Sequence, residues 1–243
     1  MDNENKIPDE FKYSPESETA KKLDNFWYYH KWKVIATVFV AFVLSVCIFQ
    51  SCDREKHDVN VLYAGPYAYT AQEKASVADE LEKALPKDFD ENGEKAVGFV
   101  SYNVMSKEQI AGLKEQLKND PEKEGLVLDT SYYTAESEQY TAALMTGEYA
   151  ILLIDESLYQ KLVDDPGRLR KLSDVFAEIP SSAFDDYGIR FSQTALYRNS
   201  EQLGKLPDSM VLCLMSPYVI GGTSNKANYA RMTEMFVAMA ADE

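Results

Sequence analysis

Six residues, DFDENG (Asp88–Gly93), are the first place to look for chemistry. Asp88, Asp90 and Asn92 followed by Gly93 fit the opening of a calcium loop. There, alternating side-chain oxygens turn inward on a hard cation and glycine permits the sharp turn. The rest of the loop departs from that pattern. Its twelfth position is Phe99, where a bidentate glutamate is needed, and its eighth is Lys95, where an apolar residue is usual. The segment also leads into strand-like residues, not an exit helix. A polar helix-to-strand turn with Asn92 and Gly93 at positive φ accounts for the same residues. No metal or other cofactor is expected.

Catalytic constellations are scarce. The chain has two histidines: His30 lies before a long apolar run and His57 just after it. Everything beyond His57 therefore lacks the base of a Ser-His-Asp or Cys-His site and most zinc ligand sets. No G-x-S-x-G, P-loop or G-x-G-x-x-G occurs. Paired carboxylates could hydrolyse a glycosidic bond. Asp155 and Glu156, at the end of an apolar run, are the pair best placed for it. With 31 acidic residues after position 57, proximity of two is uninformative, and Asp155 reads better as a helix cap. GGTSNK (Gly221–Lys226) could receive an anion at a helix N-terminus, and equally reads as a glycine turn with a capping hydroxyl.

Positioning these residues requires alternating strands and helices. Strand-like runs are DVNVLYAG (Asp58–Gly65), KAVGFVSYNV (Lys95–Val104), EYAILLIDES (Glu148–Ser157) and SMVLCLMS (Ser209–Ser216). GLVLDTS (Gly125–Ser131) is a short candidate, and IRFSQTALYR (Ile189–Arg198) an edge or hairpin strand. Between them, helical spacing marks Thr70–Leu85, a stretch from Ser106 with Ile110, Leu113 and Leu117 on one face, and Thr134–Gly147. It continues in ESLYQKLVDD, a short GRLRKLSDVFAEI stretch and Thr223–Ala241. Thr70 with Glu73 three residues on forms a capping box. The alternation predicts an α/β fold with right-handed crossovers, a mainly parallel sheet and helices on both faces. Ligands in such sheets bind beyond the C-terminal strand ends. Those ends place Tyr67, Tyr132, Asp155 and Tyr218 as candidate ligand-binding residues.

The anchor comes first in the chain. From Val34 to Phe49 only Thr37 and Ser45 interrupt an apolar run. With its flanks it reaches roughly 18–20 residues, about enough to cross ~30 Å of hydrocarbon. Trp27, Tyr28, Tyr29 and Trp32 precede it, with Lys21, Lys22, Lys31 and Lys33 on the same side. Asp53, Arg54, Glu55, Lys56 and Asp58 nearly cancel on the other. The positive-inside rule then puts the N-terminus in the cytoplasm and the C-terminal mass outside. A cleaved signal fits less well, because about thirty polar residues precede the run and no small-x-small site follows. Cys47 and Cys52 each match half of a lipoprotein site. The expected organisation is a cytoplasmic polar tail (1–30), a transmembrane helix (31–52), a juxtamembrane spacer (53–57) and an extracellular α/β domain (58–243).

That outer domain is acidic. It holds 17 basic and 31 acidic side chains, a net −14 of the chain's −15. Such a surface argues against nucleic acid and anionic lipid headgroups as partners. Its lone Cys213, inside MVLCLM, forms no internal disulfide and reads as a small buried residue.

The stretch QYTAALMTGEYAILLIDESLYQKLVDDPGRLRKLSDV resembles extracellular solute-binding proteins of the type 2 periplasmic-binding fold. Gly147, Ile151 to Asp155, Leu158 and Leu172 occupy the places that carry the resemblance, and DVNVLYAG resembles that fold's opening strand. The chain also resembles small single-pass membrane proteins of Firmicutes. Binding proteins of this class close two lobes on a ligand. About 186 residues supply one lobe and little more. The expectation is a membrane-anchored binding or interaction module without catalysis, with a protein partner in a cell-surface complex. A membrane-tethered small-solute receptor is the alternative, and a carboxylate-dependent hydrolase comes third.

Overall fold

The computed structural model describes residues 18–52, 57–119, 128–217 and 226–242, with side chains in the first segment described from 26 to 46. The chain divides into two compact units, Met1–Glu55 and Lys56–Glu243.

The described residues of the first unit form one helix, α1 (Glu18–Cys52). It starts inside the polar tail. Helix formers there (Glu18, Ala20, Lys21, Lys22, Leu23) extend a helix whose costly nucleus the apolar run provides. Phe26–Val46 is long and apolar enough to cross a membrane, and none of it is buried against protein. A signal sequence near an N-terminus can pass the same test of length and apolarity.

The second unit is α/β. Its strands are β1 (Val59–Gly65), β2 (Val97–Asn103), β3 (Ile151–Asp155), β4 (Gly188–Arg190) and β5 (Met210–Leu214), in the sheet order β2-β1-β3-β5-β4. β1 pairs in parallel with β2 and β3, whereas β5 runs antiparallel to both β3 and β4. The sheet is therefore mixed: parallel through β2, β1 and β3, with β5 reversed between β3 and β4. Between β4 and β5 lie only short turns and α6 (Ala195–Asn199), and none of these carries the chain back along the sheet. β3 and β5 are buried at every residue, as central strands covered on both faces must be.

The remaining helices are α2 (Ala71–Ala84), α3 (Lys107–Asn119), α4 (Thr130–Thr146), α5 (Glu156–Val163) and α7 (Lys226–Met239). α2 has the expected capping box and buries Val77 and Leu81. It lies with α7 on the sheet face that carries Tyr63 and Phe99. α4 and α5 cover the other face, where Tyr102 meets Tyr140 of α4.

Three elements differ from the sequence reading. Thr130 and Ser131, expected at the end of a strand, open α4, because Asp129 accepts from the Ser131 backbone and caps the helix. Residues 125–127 of that strand lie outside the described residues. The helix expected within residues 167–179 is only a 3₁₀ turn at Leu172–Asp174. Its first residues bond to the end of β5 instead: Arg170 N–H donates to Leu214 O, and Ser216 N–H to Arg168 O. The strand expected at Ile189–Arg198 is the edge strand β4, followed by a 3₁₀ turn and α6 capped by Thr194.

Candidate functional site

The crossovers from β1 diverge: β2 lies on one side of it and β3 on the other. The crevice between the C-terminal ends of β1 and β3 is where such a sheet would hold a ligand. Here the chain's own side chains fill it. Gly65 ends β1, and a Cβ on it would lie 2.7 Å from the Tyr63 hydroxyl and 3.2 Å from Met210 Sδ. Glycine thus lets the Tyr63 phenol fold across the strand end, where it accepts from Tyr67 N–H at 3.0 Å. Burial drives the Tyr63 pKa well above the phenol range, and the nearby Asp155 carboxylate adds to the rise.

Asp155 is 3% exposed. Its Oδ1 accepts from Ser157 N–H at 3.0 Å and Ser157 Oγ at 2.6 Å, capping α5. Its Oδ2 accepts from Gln109 Nε2 at 3.3 Å and Ser209 Oγ at 3.1 Å. This carboxylate ties α3, α5 and the entry to β5 together. Its predicted partner Glu156 pairs with Arg190 at 3.0 Å.

Tyr67 is also engaged internally. Its hydroxyl donates to Glu73 Oε1 at 2.7 Å, and Glu73 Oε2 accepts from Thr70 N–H and Oγ. The Thr70 backbone donor, with help from the Tyr67 hydroxyl, pulls the Glu73 carboxyl down to about 2. The same bond to Glu73 pushes the Tyr67 phenol up. Its ring packs edge-on against Tyr69, which packs in turn on Tyr63 and Phe99. Tyr132, exposed in the first turn of α4, neighbours Asn103 at the end of β2; partial burial and the Glu136 carboxylate raise its phenol. Tyr218 lies outside the described residues. Because β5 is antiparallel, Ser216 and Pro217 follow the opposite sheet edge from Gly65 and Asp155. That corrects the expectation that all these strand ends share one rim. Gly221–Asn225, the glycine turn considered for an anion, lies outside the described residues too.

The DFDENG segment gains a member that spacing alone did not show. Asp58, Asp88 and Asp90 bring one oxygen each within 4.8 Å of one another. Those oxygens are engaged by backbone donors. Asp58 accepts from Phe89, Asp90 and Ala96 N–H, and Asp88 from Asp90, Glu91 and Gly93 N–H. The Gly93 bond leads in lowering the Asp88 pKa. Positive φ falls at Glu91 (58°) and Gly93 (94°), not at Asn92. Lys95 reaches back to the carbonyl of Leu85 at 2.7 Å, just past α2. These bonds build a polar turn around the three carboxylates.

A feature the sequence did not disclose lies on the opposite face. A half-open cavity of about 200 Å³ separates α4 from α5. Leu144, Leu158 and Leu162 line it, with Lys161, Asp165 and Arg168 at its polar side. Tyr140 contributes a buried hydroxyl with no hydrogen-bond partner. Helical spacing marks Tyr140 only as a core-facing aromatic. The signal that existed was two cations, Lys161 and Arg168, in an acidic domain.

No protein-family model, curated protein or solved structure matches this chain.

Proposed function

We propose that the protein is a membrane-anchored, non-catalytic binding module that works in a cell-surface complex with a protein partner. α1 is the anchor, residues 1–30 are cytoplasmic, and the acidic α/β domain stands outside, resembling one lobe of a two-lobed solute-binding protein. The filled crevice carries this reading. Gln109, Ser157 and Ser209 close on Asp155 where a substrate or solute would enter, and their four donors saturate that carboxylate. A single compact unit with one sheet fits a lone lobe, which presents a rim to a partner more readily than it encloses a solute. Nucleic acid and anionic lipid surfaces suit the domain's charge poorly.

Gentle solubilisation of the full-length chain, followed by native-size analysis and mass spectrometry, tests the proposal. The expected result is one stoichiometric membrane or surface protein that co-purifies. A chain that runs alone contradicts the interaction reading and favours the solute receptor.

A further inference from the structure

We infer that the cavity between α4 and α5 is a binding site for a small carboxylate with an apolar body. The inference goes beyond the interaction reading and does not depend on it. Four observations converge on this one cavity. The first is size: about 200 Å³ compares with the roughly 150 Å³ apolar cavity that holds benzene. The second is the wall, where Leu144, Leu158 and Leu162 offer a ring or branched chain an apolar contact surface.

The third is the Tyr140 hydroxyl. Tyr140 is only 6% exposed, and its oxygen has no partner among the described residues. Buried polar groups are nearly always hydrogen-bonded, so an orphan beside a cavity marks a position where a ligand atom can complete the set. Of the other buried phenols, Tyr63, Tyr159 and Tyr229 have partners, whereas Tyr69, which does not line this cavity, has none among the described residues.

The fourth is charge. The domain is strongly acidic, yet this cavity gathers Lys161 and Arg168 against the single Asp165. Asp165 holds Arg168 through Nε at 2.7 Å, which fixes the guanidinium and leaves its terminal nitrogens for another acceptor. Tyr140 and Arg168 line the same cavity. One carboxylate can therefore accept from both Tyr140 and Arg168, with Lys161 adding a second positive charge and the apolar body lying against the three leucines.

The test is ligand-observed fluorine NMR with 4-fluorobenzoate and the full-length protein in nanodiscs, with empty nanodiscs as the blank. The expected result is saturable line broadening at millimolar ligand or below. Tyr140→Phe removes the buried hydroxyl without removing the ring, so it folds at least as well and weakens binding about tenfold. Arg168→Gln weakens it by a similar or larger factor. Met145→Trp, placed on a residue that lines the cavity and is 72% exposed, blocks entry without disturbing the core. Circular dichroism melting confirms that each variant is folded. No saturable broadening at ~10 mM, roughly the weakest affinity of interest, would overturn the site. So would unchanged broadening in folded Met145→Trp. Equal broadening by neutral 4-fluorobenzamide would overturn the carboxylate assignment.

Discussion

At the scale of single residues, two carboxylates do the most local work and make opposite demands on experiment. Asp155 caps α5 and satisfies Gln109 and Ser209 from a nearly fully buried position. Asp155→Ala removes a cap and strands buried donors, so a loss of about 2–3 kcal/mol is expected in denaturant unfolding. Asp155→Asn keeps one acceptor oxygen and loses less. If both variants unfold like the parent, the crevice is not held closed by this residue. Glu73 is read by pH. Its folded pKa of about 2 lies below the ordinary carboxyl value, so the unfolded chain binds the proton more tightly. Its stabilising contribution is then complete above about pH 4.5 and disappears as pH falls towards 2. Glu73→Gln should flatten that part of the acid-unfolding profile, and an unchanged acid limb would contradict the capping geometry. Both carboxylates were legible in the sequence as caps, because capping needs only local spacing. The orphan hydroxyl of Tyr140 was not, because its lack of partners depends on packing between elements distant in sequence.

At the scale of elements, burial divides the helices. α2 buries Val77 and Leu81 and α7 buries five residues, whereas α3 has no fully buried residue. Amide exchange should follow that division, with α3 protons exchanging well before those of α2. Equal protection in the two helices would show that α3 is covered by something beyond the described residues. In the sheet, Leu153→Ala in β3 leaves a void among fully buried neighbours and should cost about 2–5 kcal/mol. Continuous apolar runs made β1, β3 and β5 plain in the sequence. Direction was another matter. The residues of β5 read the same whether the strand runs parallel or antiparallel, and its reversal displaced one expected ligand-binding strand end to the far edge. The extended backbone at Leu169–Arg170 was hidden for a related reason. Its helix-like pattern yields to hydrogen bonds with the end of β5, a partner more than forty residues away.

At the scale of the whole molecule, the described residues form a long helix with an apolar run and one acidic α/β unit, and its behaviour towards ions follows from the turn at Asp58, Asp88 and Asp90. Backbone N–H groups already occupy those carboxylates, so millimolar calcium should leave the melting temperature unchanged. A rise that grows with calcium concentration would mean the cation displaces those bonds. The spacing of DFDENG alone could not decide between turn and metal site; the backbone donors that Asp58 and Asp88 collect favour the turn. Placement relative to the membrane was readable only as length and flanking charge, features that a signal sequence partly shares. The most direct measurement is therefore topological. Glu94→Cys puts a thiol on an exposed turn of the α/β unit, while the native Cys213 is buried. Intact cells are treated with a membrane-impermeant maleimide, and the chain without the new cysteine sets the background. Labelling of intact cells that equals labelling after lysis is the expected result and places the domain outside, anchored by α1. Labelling only after lysis would contradict the proposed cell-surface role.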